Sequence, residues 1–440
     1  MAEIVPFAGL RYDLARVDDA ARVLAPPYDV IGEAERADLE ARHPHNVVRL
    51  ELPRGEGDAR YGVAANLLRA WRAEGVLKRD PMPSMYLYEQ QFSWAGKRYT
   101  RQGFIAGVKL EPFDKRVVLP HEHTLTGPKA DRRKLLVATR AQISQVFGLY
   151  RDPDGAALGE LSAVAAGTPA LDGTTPDGTR HRLWVIDEAK RLNRLAGILR
   201  DKQILIADGH HRYETMLSLR GELRGQGGAG AREPADYGAM FLARAEDPGL
   251  LVLPTHRLVK GLEGFSQSAL LAAAGAAFDV VPGDETTAQA VEARLRQLSL
   301  GDDGQPRVAF GVRTAGKRGP IWLVLKPIVD LSALGPPALR SLDVTVLHGV
   351  LLGPLLGIDA AAMAKQTNLA YTHDTSEALA RVDAGEAQAA FLMNATSVAQ
   401  VLDACEQGHV LPQKSTYFQP KLATGLVMYA VERETLTSLR

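Results

Sequence analysis

The sequence is poor in the features that announce most specialised proteins. It has one cysteine, no net charge and few aromatics, which make up 6% of its residues. A single cysteine excludes an internal disulfide framework and any multi-cysteine zinc site. Cys405 sits in Val401-Leu402-Asp403-Ala404-Cys405-Glu406, an amphipathic helical pattern that predicts a small buried apolar residue rather than a nucleophile. The 52 Lys and Arg balance 52 Asp and Glu. That leaves no basic excess of the kind that displaces counterions from nucleic acid, and no polybasic membrane anchor. No apolar run is long enough to cross a bilayer. The most apolar stretch, Val344 to Ala364, is interrupted by His348, Gly349, Pro354 and Asp359. The N-terminus lacks the basic and apolar segments of a signal peptide, so a cytoplasmic protein is expected.

What is present reads as a mixed α/β protein. At about 150 residues per domain, 440 residues allow two or three domains. The expected division is an N-terminal α+β region over 1–115, a core over 116–260 and a C-terminal α/β region over 261–440 that returns to the core. Helical spacing is found over Glu33–Arg42, Tyr61–Leu77, Arg212–Arg220, Thr286–Leu298, Ser376–Ala384 and Thr396–Gln407. Ser84–Phe92 and Arg98–Leu110 read as a hairpin turning near Gly96. Further strands are expected at Gln203–Ala207, Tyr237–Arg244, Arg307–Val312, Ile321–Leu325 and Ala387–Met393. Asp152–Arg180 reads as a long connection with one short helix, and Gly221–Asp236 as a loop. Gly225-Gln226-Gly227-Gly228-Ala229-Gly230 satisfies the dinucleotide-binding pattern, but it follows a helix where that fingerprint must follow a strand, so it is set aside.

Chemistry concentrates at Asp208-Gly209-His210-His211-Arg212, where an apolar strand ends and a helix begins. Gly209 lets backbone approach a ligand. The helix start offers unpaired N–H groups, and His210, His211 and Arg212 add donors for phosphate oxygens. Asp208 reads as a cap or a contact to ribose or metal. A second group is Pro120-His121-Glu122-His123-Thr124, followed by Asp131-Arg132. His121 and His123 with Glu122 resemble a metal half-site, but no third ligand stands at a recognisable spacing, and no metal is assigned to protein side chains. Glu122 between two imidazoles reads either as a general base or as a solvated loop carboxylate. A third group is Pro412 to Leu426, in which Lys414, Ser415 and Thr416 suit an anion. Pro254-Thr255-His256-Arg257 and Ala25-Pro26-Pro27-Tyr28-Asp29 are weaker, punctuated turns.

Taken together, these segments resemble the domain-of-unknown-function 1015 family almost end to end. Asp208-Gly209-His210-His211-Arg212 is also similar to the signature of the ParB/sulfiredoxin superfamily, especially its free-serine kinases. That resemblance implies a ParB/sulfiredoxin-like nucleotide-binding core embedded in a larger mixed-sheet protein. It implies a kinase that forms O-phosphoserine from L-serine with Mg²⁺ and ATP or ADP. Residues 208–212 would then hold nucleotide phosphates, with Asp208 and His211 taking part in catalysis. By the same likeness the glutamate of the Pro-His-Glu context, here Glu122, becomes the catalytic base. Lys414, Ser415 and Thr416 are expected to join the phosphate site, and His121, His123, Arg132, His256 and Arg257 the substrate site. The expected partners are a nucleotide and a small amino acid, with no nucleic acid and no membrane. A phosphoserine phosphatase using the same site, or a noncatalytic nucleotide sensor, is the alternative.

Overall fold

The computed structural model describes residues 1–122, 124, 126–225, 233–301 and 304–436. Strands and helices alternate in a mixed α/β fold, as the sequence predicts. The chain forms two compact units, Met1–Leu251 with Pro420–Arg440, and Val252–Gln419.

Among the described residues, one sheet of the first unit has nine strands. They are β1 (Ile4–Val5), β2 (Met85–Trp94), β3 (Lys97–Lys109), β4 (Val118–Leu119), β5 (Val146–Tyr150), β6 (Leu171–Thr174), β7 (Arg180–Ile186), β8 (Ile204–Asp208) and β9 (Tyr237–Arg244). Their order is β4-β8-β5-β9-β3-β2-β7-β6, with β1 on β3. The expected hairpin is β2–β3, in register from Trp94↔Lys97 to Tyr86↔Ile105. β6 is absent from the sequence reading. Its Leu-Asp-Gly-Thr carries one buried residue and no alternating apolar pattern, so only its pairing with β7 makes it a strand.

Helices of this unit include α1 (Ala59–Ala73), α2 (Thr126–Thr139), α3 (Ala156–Ala165), α4 (Ala189–Leu199) and α5 (His210–Gly225). α1 buries Tyr61, Ala64, Leu68 and Trp71, a stripe at three- and four-residue spacing. It stops short of the predicted Leu77 because Gly75 takes a φ of +73°, after which Leu77–Arg79 pairs as a strand with Leu10–Tyr12. α2 packs against both α1 and α5. The central core joins Leu87, Phe104, Ile204, Ile206, Met240 and Leu242 from four strands, β2, β3, β8 and β9. At about 1.5–3 kcal/mol per fully buried large apolar side chain, this layer fixes the sheet that carries the site.

The second unit has a fully antiparallel sheet of β10 (His256–Val259), β11 (Phe278–Pro282), β12 (Ala309–Thr314), β13 (Ile321–Leu325), β14 (Leu369–Thr372) and β15 (Ala389–Leu392). Their order is β11-β13-β12-β15-β10-β14. α6 (Ala288–Leu298) and α7 (Thr375–Asp383) close the core with Val291, Leu295, Leu379 and Val382. α8 (Val398–Glu406) starts at a Ser397/Gln400 capping box. It buries Cys405, whose thiol burial pushes up to about 12. Residues 343–365 break into short helical pieces around a π-helical turn at Leu347–Leu352. Among the described residues no helix is long and apolar enough to cross a membrane.

Candidate functional site

The strand-to-helix junction forms as the sequence reading has it, with one difference. β8 carries Ile-Leu-Ile-Ala buried on both faces, flanked by β4 in parallel and β5 antiparallel. Its register slips between Ile206 and Asp208, turning the strand end out of the ladder. α5 then begins at His210, two residues before the predicted Arg212, with the Tyr213 N–H donating to the Gly209 carbonyl at 3.0 Å. Gly209 has a φ of +95°, and a Cβ there would lie 2.9 Å from Arg212 Nε. Both the backbone angle and the guanidinium lying over it demand glycine.

The early start fans the three donors around the helix at about 100° per residue. His210 and Arg212 therefore face nearly opposite sides. Arg212 is buried and folds back, donating to the Gln145 carbonyl and to Asp208 Oδ2. Asp208 Oδ1 receives Lys421 Nζ at 2.5 Å. Burial works against the Asp208 carboxylate, but Lys421 and Arg212 overcome it and hold the group well below the usual carboxylate range. Lys421 is set in place by its neighbours. The Pro420 carbonyl accepts from the buried Arg101, and the Lys421 carbonyl accepts from Gln90 Nε2 at 3.0 Å. Arg101 lies over the Phe147 ring at 4.8 Å, and burial lowers its pKa to about 10.

On the other side of the turn, His210 is 2% exposed and meets Glu122. The His121 N–H donates to His210 Nε2 at 3.1 Å, which places the His210 proton on Nδ1. That nitrogen is 3.4 Å from Glu122 Oε1. His121 stands edge-on to His210, its Nδ1 donating to the Ile206 carbonyl at 2.6 Å. Burial, and then His210, push His121 down to about 4, so it is neutral at pH 7. Glu122 is half-buried, and so is His211, whose carbonyl accepts from Thr215. His123 lies outside the described residues.

Arg132 is buried on α2 and stacks 4.1 Å over the Tyr28 ring. It donates to the Glu51 carbonyl at 2.9 Å and approaches Glu51 Oε1 at 3.3 Å, where Ser144 also donates at 3.1 Å. Glu51, Arg132, Ser144, Arg212, Thr215 and Met216 border a space of about 350 Å³, part of it open to solvent. The Ala25-Pro26-Pro27 turn joins the C-terminal motif here, the Thr424 N–H donating to the Ala25 carbonyl at 2.8 Å. The sequence reading missed Lys421, Glu51, Ser144 and Gln145 as site residues. Only Lys421 lay within a segment it had singled out.

His256, Arg257, Lys414, Ser415 and Thr416 belong to the second unit. There the Lys414 carbonyl accepts from Arg257 Nη2 at 3.0 Å, and the Ser415 hydroxyl donates to the Pro412 carbonyl at 2.5 Å. Among the described residues no three His, Cys, Asp or Glu side chains form a metal cage. Asp208 is engaged by two cations and Glu122 lies against His210, so these residues do not by themselves fit a Mg²⁺ ion.

Comparison with known proteins places the chain in a family. No curated protein matches the chain significantly. Among solved structures it is similar to a conserved hypothetical protein from Pyrococcus furiosus, at 15% identity and a TM-score of 0.34, over 70% of this chain and 89% of that one. It is also similar to a free serine kinase in complex with AMP, at 11% identity and a TM-score of 0.34, over 69% and 83%. SbnI with a C-terminal truncation from Staphylococcus aureus gives 9% identity and a TM-score of 0.33, over 72% and 85%. The family described as "Protein of unknown function (DUF1015)" matches residues 4–345, more than three quarters of the sequence, and the chain belongs to that family.

Proposed function

We propose that this protein is a nucleotide-dependent small-molecule phosphotransferase that converts free L-serine to O-phosphoserine. The observation that carries the reading is the Glu122–His210 contact at the N-terminus of α5. A carboxylate oriented by a neutral imidazole stands beside a helix start whose first N–H groups have no helical acceptor. A proton acceptor and an anion cradle thus share one turn.

In this reading Glu122 takes the proton of the serine hydroxyl as that oxygen bonds to the terminal phosphorus. The bond from phosphorus to the leaving nucleotide oxygen breaks. His210 Nδ1 stands 3.4 Å from Glu122 and sets its direction, while His121 fixes His210 through its backbone N–H. The N–H groups at His210 and His211 receive phosphate oxygens. Asp208, locked between Lys421 and Arg212, keeps the turn rigid. Catalysis of this kind is positioning and electrostatic stabilisation, which a rigid turn supplies. Any Mg²⁺ would arrive on the nucleotide, and no step is assigned to it.

The test is incubation of the purified protein with L-serine, Mg²⁺ and either ATP or ADP, with phosphoserine detected by mass spectrometry. Phosphoserine that depends on added nucleotide is expected. Tight nucleotide binding with no phosphoserine from either donor would replace this reading with a sensor, and phosphate release from phosphoserine alone would replace it with a phosphatase.

A further inference from the structure

The cavity beside Arg132 has no part in the chemistry above. It lies in the first unit between α2, α5 and the segment 141–144, and spans about 350 Å³, part of it open to solvent. Leu135, Leu136, Ile143 and Met216 give it an apolar wall, against which stand Glu51, Ser144 and Thr215. Its α5 residues are Arg212, Thr215 and Met216. At about 100° per residue they lie on the opposite face of the helix from His210, and so from the Glu122 contact.

Glu51 is 2% exposed, and its carboxylate is only half satisfied. Ser144 donates to it at 3.1 Å and Arg132 Nη1 approaches at 3.3 Å, both on Oε1. Among the described residues Oε2 accepts no hydrogen bond. Arg132 compensates it poorly, because its Nε and Nη2 both go to Asp131 and its Nη1 also serves the Glu51 carbonyl at 2.9 Å. Arg212, the other cation of the wall, is turned to Asp208 and the Gln145 carbonyl. A buried carboxylate is costly unless it is paired and hydrogen-bonded. The two hydroxyls add to the demand. Ser144 gives its proton to Glu51, and Thr215 gives its own to the His211 carbonyl at 2.6 Å, so both oxygens are left as acceptors. One cavity thus gathers a buried anionic oxygen and two hydroxyl oxygens, all short of a donor.

We infer that this cavity binds the primary ammonium group of a small molecule, a free amino acid or a simple amine, with Glu51 as its counter-ion and Ser144 and Thr215 as further acceptors. An ammonium carries three N–H donors, no acceptor and one positive charge. It therefore answers the three acceptors and the undercompensated carboxylate together. An anion would be repelled by Glu51, and a neutral donor would leave its charge unmatched. The apolar wall takes a short carbon chain. The inference stands apart from the proposed phosphotransfer, since none of these residues serves that reaction and binding is read without nucleotide.

The test titrates the full-length protein, without nucleotide, with glycine, L-alanine, L-serine and ethylamine. Propionate, which lacks the ammonium, is the control, and ionic strength is held constant. Isothermal titration calorimetry and the melting temperature are the readouts. Saturable binding with a rise in melting temperature is expected for the ammonium compounds. Binding of ethylamine as well as the amino acids identifies a site for the ammonium alone. Binding of the amino acids without ethylamine identifies a site that also reads their carboxylate. Glu51→Gln removes the counter-ion and is expected to weaken binding by tenfold or more. Thr215→Val removes one acceptor at nearly constant shape and is expected to weaken it about three- to tenfold. Both variants are checked for folding by circular dichroism, and Thr215→Val decides alone if Glu51→Gln does not fold. No saturable binding of any ammonium compound, or equal binding of propionate, overturns the site. So does unchanged affinity in the folded variants.

Discussion

Lys421 Nζ lies 2.5 Å from Asp208 Oδ1, joining two residues 213 positions apart, while Arg212 takes the other oxygen from one helical turn away. The triad is nearly enclosed, with 14% and 15% of the Lys421 and Asp208 side chains exposed. Removing one member of a buried ion pair leaves charge without compensation. Lys421→Met is therefore expected to cost about 3 kcal/mol, the low end of the range for such breaks because Arg212 remains. Urea unfolding measures it. Adding Asp208→Asn in the same chain should cost less than the two single changes together, by about 1 kcal/mol or more. Strict additivity would show that the two groups do not stabilise one another.

Glu122 is the residue whose loss separates chemistry from binding. It is about one third exposed at the side chain and anchors no core, so Glu122→Gln should fold normally. The amide keeps the shape but takes no proton. If the proposed reaction holds, kcat for phosphoserine formation falls by about 10²–10⁴ while KM for the nucleotide changes little. Intact turnover in this variant would remove Glu122 as the base.

Some of this was open to reading from local pattern, and some was not. The apolar run before Asp208 and the polar turn after it define β8 and α5 by physics that acts within a dozen residues. The point at which α5 begins is not so defined. His210 and His211 read as turn residues, yet the Gly209 carbonyl already accepts from Tyr213, so the donors fan around the helix instead of lining one side. Lys421 escaped notice for a different reason. Nothing in its own segment separates it from Lys414, and its placement comes from Arg101 and Gln90, more than three hundred residues away in sequence. Glu51 and Ser144 are ordinary residues in ordinary segments until Arg132 is laid between them. Tertiary placement of that kind leaves no local trace.

Gly209 offers a test of the turn that needs no substrate. Its φ of +95° is unfavourable for any residue with a Cβ, and the atoms a Cβ would meet belong to a guanidinium pinned at both ends. Gly209→Ala should destabilise by about 1–3 kcal/mol, with Arg212 displaced from Asp208. Gly197 in α4 is the control, since a Cβ there meets nothing within 4 Å. Gly197→Ala is expected to stabilise by about 0.5–1 kcal/mol through helix propensity. Equal effects at the two positions would show that the turn at Gly209 is not strained by a side chain.

The buried histidines of both units set a pH dependence of one sign, which a buried carboxyl opposes in the second unit. In the first unit burial lowers His121 and His181 to about 4 each. The folded form keeps them neutral, whereas the unfolded chain protonates them near pH 6.5. Below that pH the unfolded state binds more protons, so stability is full above about 6.5 and is lost as pH falls toward about 4. The steepest loss is about 1.4 kcal/mol per pH unit for each group. In the second unit His256 and His348 act the same way, lowered to about 3 by burial and then by Arg257. Asp343 opposes them. Desolvation raises its carboxyl to about 7 against a hydrogen bond from Asn394, so the fold holds a proton that the unfolded chain releases near pH 4. That contribution falls away as pH rises from about 4 to 7, and it grows as pH drops. Asp343→Asn removes it, and should raise stability at neutral pH while steepening the acid loss of the second unit. Hydrogen exchange followed by mass spectrometry, read from peptides of each unit at about pH 7 and about pH 5, resolves the two. Protection that falls no further in the first unit than in the second on acidification would contradict this assignment of opposing groups.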